Sequence, residues 1–167
     1  MSTKNNITRL LDAKRISYTA FETPKEKLGA EGTARFLAIP LTLVYKTIVV
    51  KRKKGKSILA LVSGESSVDL KALAKLLGEK KVFLTTQAEA EKLTGLQAGG
   101  ISPLALINRG FQVVLDESAL GYEQIYVSGG QRGLNIRLGV DDLIELTRAR
   151  VGKISDEFEI ACENFFA

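Results

Sequence analysis

The run Leu43-Val44-Tyr45-Lys46-Thr47-Ile48-Val49-Val50 constrains this chain more than any other segment. A β-branched stretch of that density reads as a buried strand, yet a lysine stands near its middle. Side chains alternate between faces along a strand, so Lys46 shares its side with Val44, Ile48 and Val50. An ammonium on such a side loses hydration and persists only if it is paired, reaches water, or serves a site that needs positive charge. Two readings stand: a functional cation, or a structural lysine that guards an edge strand or carries its head to water along an apolar stem.

The chain's composition limits what chemistry such a cation could join. The 167 residues suit one well-packed domain and are too few for two separate cores. No apolar run approaches the roughly 20 residues of a membrane-spanning helix. The first residues, Met1 to Asn6, lack the apolar core of a signal peptide, so a cytoplasmic location and no membrane contact are expected. With one cysteine, Cys162, an intrachain disulfide or a cysteine metal cluster is excluded. With no histidine, so are the Ser-His-Asp and Cys-His nucleophile pairs and imidazole as general base. Neither a cofactor nor a metal is expected. Residues 155–167 carry four acids and no base, leaving 24 basic against 15 acidic residues over positions 1–154. A field of that sign favours a polyanion such as RNA.

Periodicity and turn chemistry predict a mixed order of elements. Asn6 to Lys14 has helical spacing, and Ile16 to Phe21 alternates as a strand. Pro24 to Gly32 reads as a loop, with a helix over Gly32 to Ala38 that stops before Pro40. The Lys46 strand and Ile58 to Val62 form a hairpin across the basic link Lys51 to Lys56, a solvated turn or a phosphate contact. Asp69 caps a helix ending at Gly78, and Thr86 with Glu89 has capping-box spacing for a helix ending at Gly95. Further strands fall at Lys81 to Thr85, Phe111 to Leu115, Gln124 to Ser128 and Leu134 to Leu138, and Asp141 caps a last helix. Six or seven strands with four or five short helices indicate one α+β domain around a curved, partly closed barrel-like sheet over residues 1–154, with an acidic tail at 155–167.

Two loops are rich in glycine: Gly95-Leu96-Gln97-Ala98-Gly99-Gly100-Ile101-Ser102-Pro103 and Val127-Ser128-Gly129-Gly130-Gln131-Arg132-Gly133. Neither matches the P-loop or the Gly-x-Gly-x-x-Gly fingerprint, which disfavours ATP and NAD. Paired glycines let backbone amides approach a ligand or a developing oxyanion, or simply form tight turns.

Val44-Tyr45-Lys46-Thr47, Gly99-Gly100-Ile101-Ser102-Pro103 and Val127-Ser128-Gly129-Gly130-x-Arg132-Gly133-Leu134, in that order and spacing, resemble the signatures of the YbaK family. Its members are freestanding relatives of the editing domain inserted in bacterial prolyl-tRNA synthetases, and the resemblance covers roughly residues 7–150. It implies a barrel-like mixed sheet flanked by helices and hydrolytic removal of a wrong amino acid from tRNA, most typically cysteine from tRNA for proline. Lys46 matches the family's essential lysine. Thr47, Gly99, Gly100, Ile101, Ser102, Ser128, Gly129, Gly130, Arg132 and Asn135 fall in its pocket segments, and Phe21 is the expected aromatic wall. Some relatives carry an acid where Asn135 stands.

For a cysteinyl substrate the family precedent is attack by the substrate's own thiol, releasing a cyclic thiolactone, with Lys46 neutralising charge and the loop amides donating to the oxyanion. The expected partners are aminoacyl-tRNA and prolyl-tRNA synthetase in a ternary complex, with no DNA. The alternatives are a deacylase for alanyl- or seryl-tRNA that uses water, and a non-catalytic RNA-binding or synthetase-associated module.

Overall fold

A computed structural model describes residues 4–156. In chain order the elements are α1 (Asn6–Ala13), β1 (Tyr18–Glu22), α2 (Gly29–Leu37), β2 (Tyr45–Arg52), β3 (Ile58–Ser63), β4 (Ser67–Val68), α3 (Leu70–Leu77) and β5 (Val82–Leu84). There follow α4 (Gln87–Thr94), β6 (Gln112–Asp116), β7 (Gln124–Ser128), β8 (Leu134–Gly139), α5 (Val140–Thr147), β9 (Arg150–Gly152) and β10 (Ser155–Asp156). The strands form a five-stranded sheet, β5-β2-β3-β6-β9, a three-stranded sheet, β1-β8-β7, and a small ladder, β4-β10. Within the larger sheet β2 is antiparallel to β3 and β5, and β6 is parallel to β3 and β9. A lone parallel bridge, Val44↔Tyr126, ties the two main sheets together, so the barrel-like arrangement is held at one corner and not closed by a continuous ladder.

Burial explains the central position of β3, all six of whose residues are buried. Leu59 and Leu61 face a core shared with β6, β7, β8, α1 and α5, while Ile58, Ala60 and Val62 face a second core under α3. A strand buried on both faces reads as a continuous apolar run, as this one does. A third, smaller cluster joins Ala34 of α2 to Val44 and Tyr126 at the bridged corner.

Where local chemistry is strong the expected boundaries hold. Asp69 accepts from the Ala72 N–H and Gly78 ends α3 in the left-handed conformation. Thr86 and Glu89 form both arms of a capping box, and Gly95 ends α4. Four expectations are corrected. Among the described residues there are ten β segments and not six or seven: the seven expected strands are present, and β4, β9 and β10 are pieces of two or three residues, too short to carry an alternation. Helix α2 begins at Gly29 and not at Gly32, since packing of Ala30, Ala34 and Leu37 against the bridged corner overrides the low helix propensity of two glycines. Asp141 is not the cap of α5; Gly139 is, without a side-chain hydrogen bond, and Asp141 sits in the first turn where a carboxylate also favours the helix dipole. Ser155 and Asp156, the first residues of the expected tail, pair with Val68 and Ser67, and residues 157–167 lie outside those described.

Candidate functional site

The site begins with a strand that outruns its neighbour. β2 pairs with β3 from Tyr45 to Val50, but with β5 only from Val50 to Arg52. The Gly64 N–H donates to the Val44 carbonyl on the β3 side at 2.7 Å, whereas Thr85 Oγ1 donates to the Val49 carbonyl on the β5 side at 3.0 Å. Backbone groups alternate sides along an antiparallel strand, so Thr47, like Val49, turns its N–H and C=O to the edge that β5 leaves open. Thr85 covers one end of that edge. Along the rest runs a cleft of about 400 Å³, walled by Thr23 and Glu26 to Ala30 on one side, by Thr85 to Gln87 and Ala90 on another, and closed by Ala98, Gly99, Ile101, Ser128, Gly133 and Asn135.

Lys46 lines this cleft, half-buried. Its neighbours on the same face of β2 belong to different apolar clusters, Val44 to the bridged corner and Ile48 with Val50 to the core under α3. The lysine thus occupies the gap between two packed regions. Loss of hydration lowers its pKa below the usual lysine value, and the Glu31 carboxylate offsets part of that fall. Thr47 lines the cleft as well, with its Oγ1 buried and lacking a hydrogen-bond partner among the described residues. Tyr45 is an unsuitable proton donor or acceptor: burial pushes its phenol up to about 12, and its hydroxyl is engaged with Ser118 Oγ at 2.8 Å.

Of the residues named from the sequence, Lys46, Thr47, Gly99, Ile101, Ser128 and Asn135 converge on the cleft. Gly100, Ser102, Gly129, Gly130 and Arg132 stand behind its wall and hold it in place. A Cβ on Gly100 would come within 2.8 Å of the Gln131 Cα, so the two glycine loops touch backbone to backbone there. Arg132 Nε donates to the Ala98 carbonyl at 2.6 Å, and Ser102 is fully buried, accepting from the Leu104 N–H. Phe21 is not among the residues that line the cleft; it packs on Tyr126 at 5.5 Å between ring centroids, with the Arg137 guanidinium over its face.

Three amides expected as oxyanion donors already have acceptors. The Gly100 N–H donates to the Gln97 carbonyl at 2.8 Å, Gly129 to the Leu134 carbonyl at 2.8 Å and Gly130 to Ser128 Oγ at 3.3 Å. The amides of Gly99 and Ile101, both in the lining, donate to no acceptor among the described residues. Sequence reasoning also missed the wall formed by Glu26 to Ala30 with Thr33, and by Thr85 to Gln87. Lys27 Nζ donates to Gln87 Oε1 at 2.7 Å and joins these two segments at the rim. Thr86 carried a signal as a helix cap, but nothing in its spacing marked it as a wall.

The profile of the aminoacyl-tRNA editing domain matches residues 24–146. The chain belongs to that family. It is 32% identical over 154 residues to a protein of Enterococcus faecalis named as a candidate Cys-tRNA(Pro)/Cys-tRNA(Cys) deacylase, EbsC, covering 91% of this chain and 93% of the relative. It is 26% identical over 137 residues to the proline–tRNA ligase of Fervidobacterium nodosum, but spans only 23% of that enzyme's length. A crystal structure of a candidate trans-editing enzyme for prolyl tRNA synthetase superposes with a TM-score of 0.75 at 26% identity, covering 93% of this chain and all of the other. The family and its deacylase relatives make this chain an aminoacyl-tRNA deacylase, with aminoacyl-tRNA as its substrate class. Among the described residues, no helix is long and apolar enough to cross a membrane.

Proposed function

We propose that the chain removes cysteine mischarged onto tRNA for proline, with the ester held beside Lys46 in the cleft. One observation carries this reading: a half-buried lysine and the two unengaged amides of Gly99 and Ile101 line the same cavity, beside an open strand edge. The near full-length likeness to a relative named for Cys-tRNA(Pro) and Cys-tRNA(Cys) supports the choice of amino acid. In the reaction the substrate thiol attacks its own ester carbonyl. A carbon–sulfur bond forms, the carbon–oxygen bond to the terminal ribose breaks, and the thiol proton passes to the departing ribose oxygen, leaving a cyclic thiolactone and free tRNA. Lys46 neutralises the charge that develops on oxygen in a site where water screens it poorly, and the Gly99 and Ile101 amides donate to the oxyanion. The substrate's ammonium has two acceptors in the lining, the Glu26 carboxylate and the Thr47 carbonyl.

A cleft of about 400 Å³ is too roomy to tell cysteine from proline by size. One methylene is worth only about 1–3 kcal/mol even in a fitted pocket. Selection therefore comes from the thiol's chemistry, and prolyl-tRNA synthetase in a ternary complex supplies recognition of the tRNA body.

The test incubates the protein with cysteinyl-, alanyl- and seryl-tRNA for proline and follows ester loss. Cysteinyl-tRNA is cleaved fastest, and Lys46→Ala lowers its rate by about 10²–10³-fold with an unchanged circular dichroism spectrum. Equal cleavage of the alanyl ester would replace thiol attack with water, and a Lys46→Ala protein that no longer folds would make the lysine structural.

A further inference from the structure

We propose that the outer edge of the five-stranded sheet, from the β2–β3 turn along β5 to the cleft, binds the single-stranded 3′ end of the tRNA, with Phe83 stacking a base and a group of lysines taking phosphates. The proposal rests on the reading that the ester sits in the cleft, and it adds where the rest of the strand lies.

β5 is an edge strand, yet Phe83 and Leu84 on it are 39% and 55% exposed. Apolar side chains on an open edge invite unwanted strand pairing, and a fold that keeps them has a use for them. Charge identifies that use. The last pair of the ladder is Arg52↔Val82; Lys53 and Lys54 follow Arg52 directly in the chain, and Lys80 and Lys81 directly precede Val82, so all four gather at this end of the two strands. All four lysines are exposed. The neighbouring acids are already engaged, Glu79 by Arg52 at 3.4 Å and Glu89 by Lys51, so the lysines' field is not locally cancelled. Lys81 Nζ lies 5.4 Å from the centre of the Phe83 ring, which puts a cation and an aromatic face in one place. That pairing of basic groups with an aromatic platform is how single-stranded nucleic acid is held without reading its sequence.

The surface is also continuous with the cleft. Thr85, Thr86 and Gln87 in the cleft wall follow Leu84 directly in the chain. Phe83 stands two residues from Thr85, about 7 Å at the rise of a strand. A strand whose last nucleotide enters the cleft therefore passes Phe83 before it reaches the lysines.

The test uses Phe83→Ala, Phe83→Leu and Phe83→Tyr on two substrates: full-length cysteinyl-tRNA for proline, and the cysteinyl ester of adenosine alone, which has the same reacting atoms and no upstream nucleotide. Ala and Leu raise KM for the tRNA on the order of tenfold, Tyr stays within about twofold of the natural protein, and all three cleave the adenosine ester at the unaltered rate. In parallel, Lys53→Ala with Lys80→Ala weakens binding of uncharged tRNA and flattens the dependence of log Kd on log salt by about one for each phosphate no longer neutralised. Full activity of Phe83→Leu on tRNA would make the ring a mere apolar cover and overturn the proposal. So would equal losses on both substrates in all three variants, or unchanged tRNA binding with lost association to prolyl-tRNA synthetase. Binding of uncharged tRNA needs no catalysis, so it decides this proposal even if the natural protein cleaves neither ester, the outcome that would instead sink the reading of the cleft.

Discussion

The loops at 95–103 and 127–133 look alike as strings, each with a glycine pair and a nearby serine, but they hold different positions in the molecule. Gly99, with φ +91°, and Ile101 of the first loop face the cleft. The glycine pair of the second loop packs inward: a Cβ on Gly129 would come within 2.6 Å of Leu134, and one on Gly130 within 2.7 Å of Ile7. The Gly129 carbonyl also accepts from Asn5 Nδ2 at 2.8 Å, which fastens α1 to the loop. The first loop thus presents Gly99 and Ile101 to the cleft, whereas the second reaches the lining only at its ends, Ser128 and Gly133, and its glycine pair is the support behind it. Glycine content signals close approach, and it does not say whether the approaching group is a substrate or the protein's own chain.

The strongest way to break this distinction is Gly100→Ala, at the point where the loops touch. The added methyl meets the Gln131 Cα at 2.8 Å and its carbonyl carbon at 3.0 Å, and backbone cannot swing aside as a side chain can. Displacement of the first loop lowers kcat/KM for deacylation by about tenfold or more, because misplacement of even about 1 Å can cost 10²-fold. Activity within about twofold of the natural protein would mean that the contact does not shape the cleft. Gly130→Ala should act on stability instead. With φ +90° and only the tip of Ile7 to displace, it costs about 1–2 kcal/mol and lowers Tm by about 3–6 °C, with activity per folded molecule kept within about twofold. A selective loss of activity at unchanged Tm would move the glycine pair of the second loop into the site.

The smallest effect on stability concerns the cation that the first loop faces. Lys46 has a folded-state pKa below its unfolded value, so its protonated form opposes folding. That penalty is fully present below the folded-state pKa and disappears as pH rises toward the unfolded value. Lys46→Met, which lowers deacylation as Lys46→Ala does, should therefore raise Tm by about 1–3 °C at neutral pH, and the gain should vanish as the pH approaches 10.5, the ordinary lysine value. A lowered Tm would show that the lysine contributes to the fold and not only to the site.

The legible parts of the sequence were those written in local chemistry. Asp69 with Gly78, and Thr86 with Glu89 and Gly95, bracket their helices through bonds made within a few residues, and both were readable. The apolar run Ile58 to Val62 announced a strand, and Lys46 announced itself by interrupting another. Contacts made at long range were not readable. The start of α2 at Gly29 depends on packing against Val44 and Tyr126, and Phe21 lies against Tyr126 rather than in the cleft because of how β1 and β7 flank β8. The wall at Thr85 to Gln87 is visible only once β5 is known to stop short.

That early stop has a consequence of its own. Had β5 run five residues further along its neighbour, every peptide group from Tyr45 to Val49 would have found a partner, and the sheet would have gained stability at the expense of its notch. The cleft is thus an omission in the hydrogen-bonded fabric, and any insertion that completes the weave would yield a sturdier protein without that opening.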